Sequence, residues 1–210
     1  MLNLILQGSN YCKLIYSIFE STKIRIMKKN VAILMFLLFH LLSNAQPDIQ
    51  KKDVVFQRNK SNDFPANIDS TLLPKAIGYL NDFENIFSAT EKKEIDSILV
   101  AYEKETMNEI VVITVDSTYI RPELLYDFSL AICYKWGLGK KGLDNGILIC
   151  ISKSIRHIQI QNGYGISAEL GDVETKRIID DVIIPSFRDG KFYEGLVKGI
   201  NVIESKLTKK

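Results

Sequence analysis

The stretch from Leu143 to Gly165 constrains the fold more than any other. It opens with Leu-Asp-Asn-Gly and runs into the uninterrupted apolar segment Ile147-Leu148-Ile149-Cys150-Ile151. It breaks at Ser152-Lys153-Ser154, resumes at Arg156 in alternating apolar and polar steps, and ends in Asn162-Gly163-Tyr164-Gly165. A wholly apolar strand asks for burial on both faces, and an alternating strand asks for one buried face. The pair therefore reads as a hairpin at the centre of a sheet, with the rest of the chain supplying its cover. The turns at its ends hold Asp144, Asn145 and Tyr164, residue types that a packing role does not require.

The flanking segments supply that cover. Ser88-Ala89-Thr90-Glu91 has the pattern of a capping box, in which the serine accepts from the first turn and the glutamate reaches back. The helix it starts places Ile95, Ile98, Leu99 and Tyr102 on one face, with Lys92, Lys93, Asp96, Glu103 and Lys104 outside. Ile110 to Val115 is β-branched throughout and predicts a buried strand closed by Asp116. Pro122 suits a first helical turn, after which Leu124, Leu125, Phe128, Ala131, Ile132 and Trp136 line one face until Gly137 and Gly139 stop the helix. Lys140-Lys141-Gly142 reads as a mobile basic connection. Beyond the hairpin, Gly171-Asp172 predicts a helix start with Asp172 as cap, and Pro185 a kink or an end. A last helix carries Phe192, Leu196, Ile200 and Ile203 on one face, and Gly195 and Gly199, four apart, predict a close helix approach. One small sheet with helices on both faces accounts for this order.

The N-terminal region reads as a targeting segment. Met27-Lys28-Lys29 is a basic start, Val31–Leu42 is apolar, and Ser43-Asn44-Ala45 places small residues before Gln46. This is the layout of a secretory signal peptide over 27–45, too short for a spanning helix, with 1–26 an upstream extension. Residues 46–75 are polar without a period and read as a flexible leader, so the domain proper runs 76–208. Ile77 to Phe83 is taken as an extended lead-in whose aromatics pack on the domain.

Five basic residues (Lys13, Lys23, Arg25, Lys28, Lys29) and one acid (Glu20) precede residue 46. From 27 basic and 25 acidic residues, 22 and 24 remain, a net charge of −2. That balance gives no electrostatic ground for nucleic-acid binding. No second apolar run reaches spanning length, so the exported chain is expected to be periplasmic or secreted, without a membrane span, and monomeric. Cys133 and Cys150 remain after the cut and read as buried free thiols rather than a pair. His157 is the one histidine left, which leaves little ground for a histidine-built zinc site or a Ser-His-Asp triad.

Several acids are not accounted for as helix surface: Asp82 in the lead-in, Asp144 before the central strand, Asp172 at a helix start, and Asp180 with Asp181 among Ile178, Ile179, Val182 and Ile183. Asp180 is placed near the rim of an apolar face, where a carboxylate needs a partner. Arg177 and Arg188 are two such partners, and a hard cation with oxygen ligands is another.

The segment from Ile77 to Lys206 resembles the TPM domain family, which includes thylakoid lumen acid-phosphatase-like and many exported bacterial proteins. The resemblance rests on Tyr79-Leu80-Asn81-Asp82-Phe83, Trp136-Gly137-Leu138-Gly139, Lys141-Gly142-Leu143-Asp144-Asn145-Gly146-Ile147-Leu148 and Asn162-Gly163-Tyr164-Gly165. It continues through Asp172, Arg177-Ile178-Ile179-Asp180, Ile184-Pro185-Ser186-Phe187-Arg188 and Phe192-Tyr193-Glu194-Gly195-Leu196, all in the family's order. It implies a three-layer α/β/α sandwich around a small mixed β-sheet. It also implies a Ca²⁺ or Mg²⁺ site built from loop and helix acids near one sheet end, and an activity described in part of the family as acid phosphatase. The ligand set carried over is Asp82, Asp144, Asn145, Asp172, Asp180 and Asp181. The chain departs from the family at Ser167, where an acid is usual, and Glu169 lies two residues on. Two functions follow from the resemblance. One is an exported cation-binding module that engages another exported or membrane protein. The alternative is a metal-dependent acid phosphatase acting on phosphomonoesters. Either requires Asp82, Asp144 and Asp180 to reach one rim of the sheet.

Overall fold

The computed structural model describes Val55–Phe56 and residues 64–208. The upstream extension 1–26 and the signal peptide 27–45 lie outside these residues. Five strands form one mixed sheet: β1 (Val55–Phe56), β2 (Leu80–Asp82), β3 (Glu109–Thr114), β4 (Gly146–Ser152) and β5 (His157–Gly163), in the order β1-β5-β4-β3-β2. Only β4 and β5 are antiparallel; β1 with β5, β2 with β3, and β3 with β4 run parallel. The helices are α1 (Ala89–Thr106), α2 (Leu125–Trp136), α3 (Asp172–Arg177), a π-helical segment (Ile178–Ile183), α4 (Ile184–Arg188) and α5 (Phe192–Leu207). Among the described residues no helix is long and apolar enough to cross a membrane.

The three-layer α/β/α sandwich follows from the alternation within β3 and β4. Ile110, Val112, Ile147, Ile149 and Ile151 face α1, the π segment and α5. Val111, Ile113, Leu148 and Cys150 face α2. All seven positions of β4 are buried, as a central apolar strand requires. The successive crossovers β2–α1–β3 and β3–α2–β4 step the same way across the sheet, yet α1 and α2 lie on opposite faces. The two are therefore of opposite hand, and one departs from the usual right-handed crossover.

Local chemistry sets the element ends. Ser88 and Glu91 complete the capping box, with Glu91 N–H donating to Ser88 Oγ at 3.3 Å and Ser88 N–H to Glu91 Oε2 at 2.7 Å. Gly137 ends α2 in the left-handed conformation, φ +66°. Pro185 does not end its helix, which runs on to Arg188. The chain instead widens to a π turn, with Ile184 N–H donating to Ile179 O, so the proline falls in the first turn of α4, where its missing N–H costs little. Gly171 holds the cap position of α3 without a side-chain bond, so Asp172 is the first helical residue rather than the cap. Gly195 and Gly199 face Phe187 and Ile183, the close approach their spacing suggests.

Two expectations need revision. The domain does not start at 76, because part of the stretch read as leader is docked on α2. Leu73 is buried, Phe64 and Ile68 pack on the α2-side core, Lys135 Nζ donates to Ser70 O at 2.7 Å, and Trp136 Nε1 donates to Pro74 O at 2.9 Å. The scattered apolar residues of that segment have no period because they fill gaps singly. Strand β5 is also buried on both faces from Ile160 to Gly163, since β1 covers its edge. Its polar residues there bond inward: Gln161 Nε2 donates to Ser129 Oγ at 2.9 Å, and Asn162 Nδ2 to Leu170 O at 2.9 Å and Thr175 Oγ1 at 2.7 Å.

Asp82 fastens the other end of the sheet. Its side chain is 2% exposed and accepts from four donors: Thr114 Oγ1 at 2.6 Å, Ile86 N–H at 3.1 Å, Phe87 N–H at 3.2 Å and Lys92 Nζ at 2.9 Å. The set ties β2 to β3 and to the first turn of α1. Burial pushes this carboxyl up, but the bonds from Thr114, Lys92, Ile86 and Phe87 together outweigh it and hold it below the usual range. A depressed folded-state value gives stability that is present above the unfolded carboxyl value near ~3.9 and is lost as pH falls through the lower folded value. Denaturant titrations across that range should show Asp82→Asn costing about 2–3 kcal/mol at neutral pH. The pH slope of stability should shrink by up to about one proton in the variant; an unchanged slope would contradict the role given to Asp82.

Candidate functional site

The carboxylates that the family resemblance assigns to one site divide between the two ends of the sheet. Asp82 pairs with Thr114 at the far end of β3, whereas Gly146, after Asp144 and Asn145, pairs with Glu109 at its start. The six residues of β3 separate the two ends by roughly 15–20 Å at a strand's rise per residue. Asp82 and Asp144 therefore do not reach one rim. Asp180 and Asp181 are exposed on the π segment, and Asp180 is ion-paired with Lys176 one turn back, not with Arg177 or Arg188. Arg177 bonds Glu174 at 2.7 Å, and Lys206 reaches the same carboxylate at 2.9 Å. These bonds lower Glu174 to about 2. Among the described residues no three of His, Cys, Asp and Glu gather as a metal-holding group.

Asp144, Asn145 and Asp172 do come to the same end. Asn145 is buried and fully engaged: Nδ2 donates to Met107 O at 2.7 Å, Oδ1 accepts from Lys140 N–H at 2.8 Å, and its carbonyl accepts from Glu109 N–H at 3.1 Å. It is a staple between the α1–β3 turn and the 138–146 loop. That loop is not a loose connection, because Gly139 N–H donates to Glu109 Oε2 at 2.6 Å and Lys140 Nζ lies 3.6 Å from Glu103. Asp144 is half-buried, with φ +47°, and its carbonyl accepts from Gly165 N–H at 3.0 Å. Asp172 reaches this end because Asn162 clasps Leu170 and Thr175 on either side of the helix start. Ser167, where the family acid is usual, donates to Tyr164 O at 2.8 Å and closes the turn after β5; Glu169 is exposed nearby.

Glycine permits this end to exist. A Cβ on Gly163 would stand 1.9 Å from Asp144 O, one on Gly165 1.8 Å from Leu143 O, and one on Gly146 2.5 Å from Gly139 N. Three loops pack main chain on main chain, and only residues without a side chain allow it. Four large apolar side chains stand exposed at this end, from 52% to 83%: Leu143 and Tyr164 on these loops, Met107 at the cap of α1 and Val173 in α3. Patterning singled out Tyr164. It did not mark Met107, Leu143 or Val173, since a lone exposed apolar residue carries no signal until the fold brings several together.

Two glycine substitutions separate space from backbone conformation. Gly163, with ordinary φ −67°, has no room for a Cβ; Gly142, at φ +83°, has nothing within 4 Å of one. Gly163→Ala should cost about 3 kcal/mol through forced separation of the loops, and Gly142→Ala about 1 kcal/mol through backbone strain alone. Urea unfolding of both variants checks the order, and equal losses would refute the packing account.

The TPM domain family matches residues 80–206 of the chain. Among solved structures, the chain is similar to the N-terminal domain of a protein from P. gingivalis. That likeness has 27% identity and a TM-score of 0.56, and covers 73% of this chain and 92% of that one. It is also similar to the BA42 protein from the psychrophilic bacterium Bizionia argentinensis, with 27% identity and a TM-score of 0.51 over 60% of this chain and 85% of that one. No curated protein matches. The blocks that place Asp144, Asn145 and Gly163 at one sheet end fall inside the matched span, and the chain belongs to the TPM domain family.

Proposed function

We propose that the chain is an exported binding module whose recognition surface is the sheet end formed by the 107–108 turn, the 138–146 loop, residues 163–167 and the start of α3. One observation carries this reading: four large apolar side chains stand exposed there, and the loops that carry two of them, Leu143 and Tyr164, pack backbone to backbone. Apolar side chains gathered on a rigid, polar-rimmed surface suit a protein partner. The partner is another exported or membrane protein, met in the periplasm or outside the cell.

A divalent cation, Ca²⁺ or Mg²⁺, belongs to this reading at the same rim. Of the six residues carried over from the family, Asp82 and Asn145 are consumed by internal bonds, and Asp180 and Asp181 stand on the π segment. Asp144 and Asp172 supply carboxylate oxygens at one end, and main-chain carbonyls and water suit the rest of a hard cation's shell. Bound there, the ion would tie the 138–146 loop to the helix start and stabilise the fold by mass action. The phosphatase reading finds less support. The cysteines are buried with their thiols pushed up, His157 lies at the opposite end against Ile155 O, and the Ser167 hydroxyl is committed to Tyr164 O.

Amide NMR of the protein titrated with Ca²⁺, then Mg²⁺, tests the site. Saturable shifts should centre on residues 143–146, 163–167 and 171–173, and Asp144→Asn and Asp172→Asn should each weaken binding about tenfold. Shifts centred on Asp82 or Asp180, or none, would remove the site. Aryl phosphate turnover abolished by Asp144→Asn would replace the binding module with the phosphatase.

A further inference from the structure

A pocket of about 310 Å³ opens at the other end of the sheet, between residues 67–73 and the 117–124 segment that joins β3 to α2. Its place is the one open α/β sheets favour for ligands, outside the carboxyl ends of parallel strands. The floor is apolar, built from Leu73, Ile120 and Phe128, which are buried, with Leu124 beside them. Exposed Leu72 and Tyr119 flank the mouth. The volume is at the small end of ligand sites, enough for one aromatic or branched aliphatic group with a polar head.

Charge decides the head group. Arg121 is the one cationic side chain in the lining, and among the described residues its guanidinium has no hydrogen-bond or ion-pair partner. Asp69, the one carboxylate in the lining, has Oδ1 engaged within its own turn, accepting from Thr71 N–H at 2.8 Å and from Thr71 Oγ1 at 2.7 Å. An unpaired guanidinium beside an apolar floor is matched by a carboxylate on an apolar body, since the planar fork donates to both oxygens.

We propose that this pocket binds a small amphipathic carboxylate, its apolar group against Phe128 and Leu73 and its carboxylate on Arg121. The site is independent of the 143–165 rim and stands or falls without it. Two sources share this chemistry, a free organic acid and the C-terminal residue of a polypeptide.

The test is amide NMR of the protein with N-acetylphenylalanine, its carboxamide, and a tripeptide ending in phenylalanine with a free terminus. The acid should give saturable shifts confined to residues 67–73 and 117–124. The carboxamide should bind about tenfold more weakly, the loss of one charge-assisted pair. Arg121→Gln, an exposed change that leaves the floor intact, should remove the preference for acid over amide. Leu72→Ser should weaken both ligands alike. Tripeptide binding as tight as the acid assigns a chain terminus as the source, and binding of the acid alone assigns a free acid; both support the pocket. Equal binding of acid and amide, a preference that survives Arg121→Gln, shifts elsewhere, or no saturable shift at millimolar concentration would overturn it.

Discussion

The structure depends on the contact between the main chain at Leu143–Asp144 and the main chain at Gly163–Gly165. There the carbonyls of two loop residues occupy space that a Cβ on either glycine would need. Strand β4 enters the core directly after this contact, and β5 leaves the core directly before it. The antiparallel pair at the middle of the sheet is thus fastened at its open end by backbone alone. Gly146 against Gly139 adds the loop that follows α2, and Asn145 adds the turn that precedes β3. The result is a sheet end built from loops packed main chain on main chain, where loops ordinarily lie loosely at the surface.

The two ends of the sheet solve opposite problems. At the Asp82 end, a buried carboxylate gathers two backbone N–H groups, a hydroxyl and an ammonium, and its charge is spent on holding β2 and α1 in place. A bidentate clasp works beside it, where Glu84 accepts from Lys153 N–H and Ser154 N–H at 2.7 Å each and closes the β4–β5 turn. At the Asp144 end, main-chain packing and the Asn145 amide do most of the fastening, helped by Glu109 accepting from Gly139 N–H, and the partly exposed acids Asp144 and Asp172 lie at the same end as Leu143, Tyr164 and Val173. That surface carries charge and apolar area together, the mixture recognition needs.

The layers were legible in the sequence because periodicity reports burial. The apolar run of β4, the β-branched run of β3 and the capping box at Ser88 each translate into the observed element. The lead-in at Ile77–Phe83 was legible as extended chain but not as a sheet strand, since three residues with Asn81 buried at the centre carry no strand period until β3 is beside them. The π turn at Ile178–Ile183 was hidden for a different reason. The proline marks a disturbance but not how the helix absorbs it. Patterning marked Asp144, Asn145, Asp172 and Asp82 as residues that helix surface does not explain. It did not show that Asp82 and Asn145 are structural, because a carboxylate or amide saturated by backbone donors looks the same in sequence as one awaiting a ligand.

The central claim is that the chemistry of this fold is divided, with a cation-accessible rim at Asp144 and Asp172 and a sealed carboxylate at Asp82. Paramagnetic broadening by Mn²⁺ measures the division directly, because the effect falls off steeply with distance from the ion. The amides of Leu143–Gly146 and Gly163–Gly165 should broaden at substoichiometric Mn²⁺ while those of Asp82–Phe87 remain sharp. Broadening of both sets together, or of Asp82–Phe87 alone, would contradict the account.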